Sequence, residues 1–185
     1  GLKWRQLAAG KGHAPAQFAL AEMLEHGRGT AANIVQASFW YIKAAEQGDV
    51  RAQLRLGRLF AKGSGRVPHD VAAAVRWYRM AAEQGDPEAC FALGVATYNG
   101  IGVKQDHAEA AIWYRKAADK GHAPGQYNLA HAYLDGAGVP QDEAEAAQLF
   151  RKAAEQGYPE AQLHFGRSLQ FGTGVRQDEA EAVKW

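Results

Sequence analysis

Apolar and small residues recur along this chain at helical spacing in two alternating phrases. In one, residues 87–99, they stand at Ala89, Leu93, Gly94 and Thr97, the pattern of a helix with one buried stripe. The same columns hold Ala16, Leu20, Ala21 and Leu24, then Ala52, Leu56, Gly57 and Phe60, then Ala161, Phe165, Gly166 and Leu169. In the other phrase, residues 106–120, the stripe is Ala110, Trp113 and Ala117, flanked by Ala111, Tyr114 and Ala118. Its alanines allow a neighbouring helix to come close, and its aromatic residues supply buried area. Trp4, Trp40, Trp77, Trp113, Leu149 and Trp185 follow one another at 36, 37, 36, 36 and 36 residues. A period of that length predicts units that stack on their neighbours, not one closed core.

The polar residues punctuate this pattern. Each first helix is expected to stop at a glycine pair, Gly27/Gly29, Gly63/Gly65, Gly100/Gly102, Gly136/Gly138 or Gly172/Gly174, which supplies left-handed turn conformations. The one longer period places an extra residue in the loop around Arg66 to His69, where Pro68 fits. Asp106 with Glu109, Asp142 with Glu145 and Asp178 with Glu181 have the spacing of a capping box at the start of the second helix. Asn33 with Gln36 repeats the device, whereas Asp70 has Ala73 in place of a reciprocal partner. Asp86-Pro87 opens the next first helix. Glycine inside a helix costs about 1 kcal/mol relative to alanine. Its recurrence at Gly57, Gly94 and Gly166, with Ala21 and Ala130 in the same column, predicts a close approach by another helix.

The expected organisation is all-α, a single array over residues 1–185. Residues 1–12 form the second helix of a partial repeat, 13–48, 49–85, 86–121 and 122–157 are repeats, and 158–185 is partial. Neither end reads as a polar capping repeat, so the expectation is an excerpt of a longer array whose cut ends can self-associate end to end.

Hydrophobic residues make up 47%, enough to bury a core, and 21 Lys+Arg against 20 Asp+Glu speak against general nucleic-acid binding. No apolar run is long enough to span a membrane. The single cysteine, Cys90, excludes an internal disulfide framework and a cysteine-based zinc cluster. The compartment, cytoplasmic or periplasmic and secreted, is left open.

The succession AxxxLGxxY, GxG, Asp and AxxWYRKAAEQG at about 36 residues resembles the Sel-one-like repeat (SLR) family, relatives of the tetratricopeptide repeats of about 34 residues. The resemblance covers essentially the whole chain. Leu149 in place of Trp, Thr97 in place of Tyr and Gly125 in place of Ala are its departures. It implies a right-handed α/α superhelix, a solenoid of antiparallel helix pairs, with first helices on the concave side, used as an adaptor in protein assembly.

No constellation of nucleophile, base and orienting group is apparent, and no cofactor is implied. Cys90 shares a column with Gln17, Gln53, Gln126 and Gln162 and reads as a structural thiol. His13 and His122 occupy equivalent turns and read as turn or cap residues, while His69 and His107 near second-helix starts read as solvated. His131 and His164 lie on neighbouring first helices, and with Asp135 as the one further ligand at hand they read as surface histidines and not a metal site. The glycine pairs lack the lysine and hydroxyl residue of a phosphate loop. By analogy with tetratricopeptide repeats, the groove is lined by Glu22, Glu25 and His26; Arg51, Arg55, Arg58 and Lys62; Val95, Tyr98 and Asn99; Asn128, His131 and Asp135; and His164, Arg167 and Phe171. Spacings of 4, 3 and 4 put Arg51, Arg55, Arg58 and Lys62 on one helix face, which reads either as a solvated charged face or as a basic patch for an acidic segment, helped by Tyr98 and Asn99. The function expected is a non-catalytic scaffold or adaptor that binds a protein or peptide in this groove. The alternative is a regulatory or targeting module of a longer, bacterial-type protein, secreted or associated with an enzyme.

Overall fold

A computed structural model of the chain describes residues 2–185, apart from the side chain of Leu2. Eleven helices lie among the described residues: α1 Leu2–Gly10, α2 Ala14–His26, α3 Ile34–Ala45, α4 Val50–Lys62, α5 Val71–Glu83, α6 Pro87–Asn99, α7 His107–Asp119, α8 Ala123–Asp135, α9 Glu143–Glu155, α10 Pro159–Phe171 and α11 Glu179–Ala182. The only pairing of β type among these residues is an isolated bridge between Ser64 and Val67. The chain forms two compact units, one reaching to Ala89 and including Ile101–Val103, the other made of Cys90–Gly100 and Lys104–Trp185. In the first, the consecutive pairs from α1–α2 to α4–α5 pack together; in the second, the pairs from α7–α8 to α10–α11 do. The fold is thus all-α, a succession of helix pairs at the period read from the sequence.

The turn within each pair is seven residues long, except for eight between α4 and α5. The extra residue lies where the spacing placed it. Ser64 and Val67 exchange backbone hydrogen bonds of 3.1 and 2.9 Å there, and Val67 turns inward to be buried. The second glycine of the later turns allows a close approach. At Gly102, with φ +69°, a Cβ would lie 2.6 Å from the carbonyl oxygen of Val71, the first residue of α5.

Each turn ends in a residue that makes two kinds of bond. The side chains of Asn33, Asp70, Asp106, Asp142 and Asp178 accept a hydrogen bond from the backbone N–H three residues on and so cap the second helix. The backbone N–H of the same five residues donates to the carbonyls of Leu24, Phe60, Thr97, Tyr133 and Leu169 at 2.7–3.0 Å. These are equivalent positions in the last turn of the first helix, so each cap ties its pair together. This corrects the capping-box expectation: the N–H that a reciprocal glutamate would take is already bound to the first helix. Glu109 instead accepts from Trp113 Nε1 at 3.1 Å, and Asp70, with Ala73, caps as the others do.

Each unit has its own core. In the first it is built on Leu20, Tyr41, Leu56 and the alanines around them, in the second on Tyr114, Leu129, Phe150 and Phe165. The helical glycines make room for an aromatic ring at two positions and for a neighbouring helix at two others, Gly125 against Ala117 and Ala118 of α7 being one of the latter. A Cβ at Gly57 would meet the Tyr78 ring, and one at Gly94 would lie 2.7 Å from the Tyr114 ring, whereas Gly166 faces the backbone of Ala182 at 3.3 Å. The tryptophan column is uneven: Trp113 and Leu149 are buried, Trp40 and Trp77 partly so, and Trp4 is 75% exposed, contrary to an interior role for the whole column.

A ladder of amides, buried at Gln17, Gln53 and Gln126, adds to these cores. Gln17, Gln53, Gln126 and Gln162 donate to the carbonyls of Ala9, Ala45, Ala118 and Ala154, the last turn of the preceding second helix, at 3.1–3.4 Å. Gln47, Gln84 and Gln156 donate in turn to Gln17, Gln53 and Gln126 at 2.7–2.8 Å. Unpaired, such amides are costly to bury. The repeat with Cys90 in this column also has Lys120 in place of the second glutamine.

The turn glycines give a direct test. Gly121 also has a positive φ, +78°, but nothing lies within 4 Å of its Cβ position. Gly121→Ala is expected to cost about 1 kcal/mol from backbone strain alone. Gly102→Ala adds the clash with Val71 and should cost about 2–4 kcal/mol. Thermal denaturation midpoints of the two variants check the order.

Candidate functional site

Residues expected to line the groove gather in two clefts, one in each unit. In the first unit a cleft of about 310 Å³ is bordered by Phe18, Glu22, Glu25 and His26 of α2, Tyr41 of α3, Arg51, Leu54, Arg55 and Arg58 of α4, and Asp86. Its arginines are already engaged. Arg55 forms a two-pronged ion pair with Glu25, whose side chain is 9% exposed, and the Tyr41 hydroxyl donates to the same carboxylate at 2.8 Å. Arg51 pairs with Asp49, the cap of α4, at 2.7 Å and lies over the Phe18 ring at 4.3 Å, while Arg58 pairs with Glu88 at 2.6 Å. Lys62 is exposed in the last turn of α4, outside the cleft lining.

The Glu25 cluster joins α2, α3 and α4. Burial alone would raise the Glu25 carboxyl, but hydrogen bonds from Arg55 and Tyr41, with the charge of Arg55, outweigh it and hold the pKa below its ordinary 4.5. Burial, and then the bond to Glu25, pushes the Tyr41 hydroxyl far up, so it stays a donor. An acidic ligand at this face has to compete with Glu25, Asp49 and Glu88. Most of the positive charge read from the 4, 3, 4 spacing is thereby balanced within the chain.

In the second unit a cleft of about 340 Å³ lies between two first helices, bordered by Val95, Tyr98 and Asn99 of α6, Tyr114 of α7, and Asn128, His131, Ala132 and Asp135 of α8. Tyr98 is held by stacking on His107, with ring centres 4.5 Å apart and planes 15° from parallel. Asn99 donates its amide nitrogen to the Val95 carbonyl at 2.8 Å. Burial pushes the Tyr114 hydroxyl up to about 12, against a hydrogen bond from Asn128 that acts the other way.

His131 is not a solvated surface histidine. Its ring centre is 4.7 Å from that of His164, and Tyr127 and Phe150 complete the cluster, with Phe150 stacked on His164 at 4.9 Å. Burial lowers the His131 pKa against the opposing charge of Asp135; burial, His131 and Arg167 lower that of His164. Both imidazoles therefore favour the neutral form at pH 7. Among the described residues no group of three His, Cys, Asp or Glu converges as a metal site. Arg167 lies apart from this cleft, in a depression beside α11 with Leu163, Glu179 and Trp185. His122 caps α8, accepting from the N–H of Gly125 at 3.1 Å, while His13 makes no side-chain cap, and Cys90 is buried.

Sequence reasoning passed over Tyr41, Asp49 and Phe150. A signal for the ion pairs was present, since α2 contributes Glu22 and Glu25 where α4 contributes three arginines. Phe150 stands where the three preceding repeats have tyrosine, and it is the ring on which His164 stacks.

The depressed pKa of Glu25 fixes the sign of a pH effect. Its stabilisation is fully present above pH 4.5 and is lost as pH falls through the lower folded-state value. Glu25→Gln is expected to destabilise the protein by about 1–2 kcal/mol at pH 7, with the gap to wild type closing in acid. Denaturation at pH 7 and pH 3 checks both parts; a gap that stays constant contradicts the assignment.

Similarity to other proteins accords with this architecture. The family model of the Sel1 repeat matches residues 14–49, 50–86, 87–122, 123–158 and 159–185. Chitin synthase regulatory factor 3 of Schizosaccharomyces pombe is 49% identical over 55 residues, 30% of this chain and 6% of that protein. Chitin synthase regulator SKT5 of Malassezia restricta is 41% identical over 56 residues, 30% of this chain and 4% of that protein. The chain thus spans a small fraction of the length of both relatives. Among solved structures, a protective antigen present in uropathogenic Escherichia coli strains and displaying an SLR fold superimposes with a TM-score of 0.95 at 38% identity, covering 100% of this chain and 39% of that one. A Sel1 repeat protein from Oxalobacter formigenes superimposes with a TM-score of 0.90 at 35% identity over 95% of this chain and 72% of its own. Sel1 repeat proteins are generally protein-interaction modules with a typically non-enzymatic scaffold fold. With its helix pairs, turn glycines and repeated core matched along nearly its whole length, the chain belongs to the Sel1 repeat family.

Proposed function

We propose that this chain is a non-catalytic interaction module that binds a protein or peptide segment on its first-helix faces. One observation carries the reading: the core columns hold small and aromatic residues from repeat to repeat, while first-helix columns at the two clefts change in character, with Glu22, Arg58, Val95, His131 and Arg167 in one and His26, Lys62, Asn99, Asp135 and Phe171 in another. Variation on a repeated frame is where a solenoid places specificity. The residues that would carry it are Glu22, Arg51, Arg55 and Arg58 in the first unit and Tyr98, Asn99, Asn128, His131 and Asp135 in the second. Lys62, His164 and Arg167 contribute from outside the two clefts. The similarity to two proteins named as chitin synthase regulators, of which the chain spans only 6% and 4%, supports a second reading, a regulatory module within a longer protein.

The expected result of placing a photo-crosslinking amino acid at Tyr98 or Asn128 in the whole protein is adducts with a partner in cells. The same amino acid at the exposed second-helix positions Lys116 or Arg151 should give few. Equal adducts at all four positions would count against a first-helix binding face.

A further inference from the structure

The cleft between α6 and α8 has a charge character of its own. Among the described residues that line it there is no lysine or arginine, and its one formal negative charge is Asp135. Asp135 has no ion-pair partner among the described residues, in contrast to Glu25, Asp49 and Glu88. Its position is also unfavourable in isolation. It is the last residue of α8, where the helix dipole disfavours an anion, while Lys62 in the equivalent position of α4 suits that dipole. The walls are aromatic, with Tyr98 fixed by its stack on His107 and Tyr114 behind it. Asn99 donates one of its two amide hydrogens to Val95, and its amide oxygen is an acceptor at the rim. An unpaired carboxylate beside amide oxygens, against tyrosine walls, suits a cation and disfavours an anion. A volume of about 340 Å³ admits one long side chain.

We propose that this cleft is a subsite for the lysine or arginine side chain of a bound peptide, with Asp135 as counter-charge, Tyr98 and Tyr114 as walls, and Asn99 and Asn128 as hydrogen-bonding rims. The proposal rests on the reading of the first-helix faces as the binding surface. It gives the partner a basic residue here, whereas an acidic segment would meet the Asp135 charge.

The test is a titration of the ¹⁵N-labelled whole chain, followed by NMR, with three acetylated and amidated tripeptides: Ala-Arg-Ala, Ala-citrulline-Ala and Ala-Glu-Ala. Citrulline keeps the shape of arginine and removes its charge. The arginine peptide is expected to give saturable shifts at the side-chain amides of Asn99 and Asn128 and at the Asp135 backbone, with the citrulline peptide at least about tenfold weaker. Asp135→Asn should reduce affinity for the arginine peptide by a similar factor. Because Asp135 is exposed and unpaired, the remaining resonances should not move, which separates lost binding from misfolding. Equal affinity for arginine and citrulline peptides, preference for the glutamate peptide, no shifts at millimolar peptide, or binding unaffected by Asp135→Asn would each overturn the subsite. If the titrations fail while crosslinks still form at Tyr98 and Asn128, the binding face stands without a cation subsite. If both fail, the functional reading fails with it.

Discussion

The structure depends on a residue that is bonded in two directions. At the end of each turn, an aspartate, or asparagine in Asn33, caps the second helix with its side chain and fastens itself to the first helix through its backbone N–H. Each bond is modest, about 1 kcal/mol. Together they fix where one helix of a pair starts relative to where the other ends. Small residues at Gly57 and Gly94 can then receive tyrosine rings from the partner helix, and the amides of Gln17, Gln53 and Gln126 can reach the preceding second helix. A frame of this kind tolerates almost any residue at the first-helix positions it does not use.

Much of the frame was legible from spacing alone. Helical periodicity located the helix pairs, and the single step of 37 residues located the longer turn to within a few positions. Spacing says which face a residue occupies and not which neighbour arrives there, and the expectations that changed share that cause. The cap spacing suggested reciprocal side chains, but the backbone N–H was already bound within the pair. The helical glycines suggested a second backbone and, at Gly57 and Gly94, met a ring. Trp4 shared the column of Trp113 without sharing its burial. The glutamine ladder is a bond between two columns of the repeat, marked in the sequence by the joint replacement of both at Cys90 and Lys120.

The candidate site was legible as a set of positions and less so as chemistry. Periodicity singled out the variable first-helix residues. Four arginines and lysines on one face looked like free positive charge, yet Arg51, Arg55 and Arg58 each have a carboxylate partner, one of them, Glu25, nearly buried. The second unit reverses the picture. There a lone carboxylate and tyrosine walls stand in a cleft that sequence reading had treated mainly as an accessory to the arginines. The imidazoles of His131 and His164 belong to an aromatic cluster whose burial favours the neutral ring. What the module displays is therefore set by pairing between helices more than by the residues of one helix.

The central claim, that a rigid cap holds each first helix in place to display its variable residues, is tested most directly by hydrogen exchange at the backbone amides of Asp106 and Asp142. Both lie at the ends of turns, where amides normally exchange quickly. Bonded to Thr97 and Tyr133, they are predicted to be protected to the level of core amides such as that of Leu129. Exchange at the rate of the neighbouring turn residues Lys104 and Val139 would contradict the account.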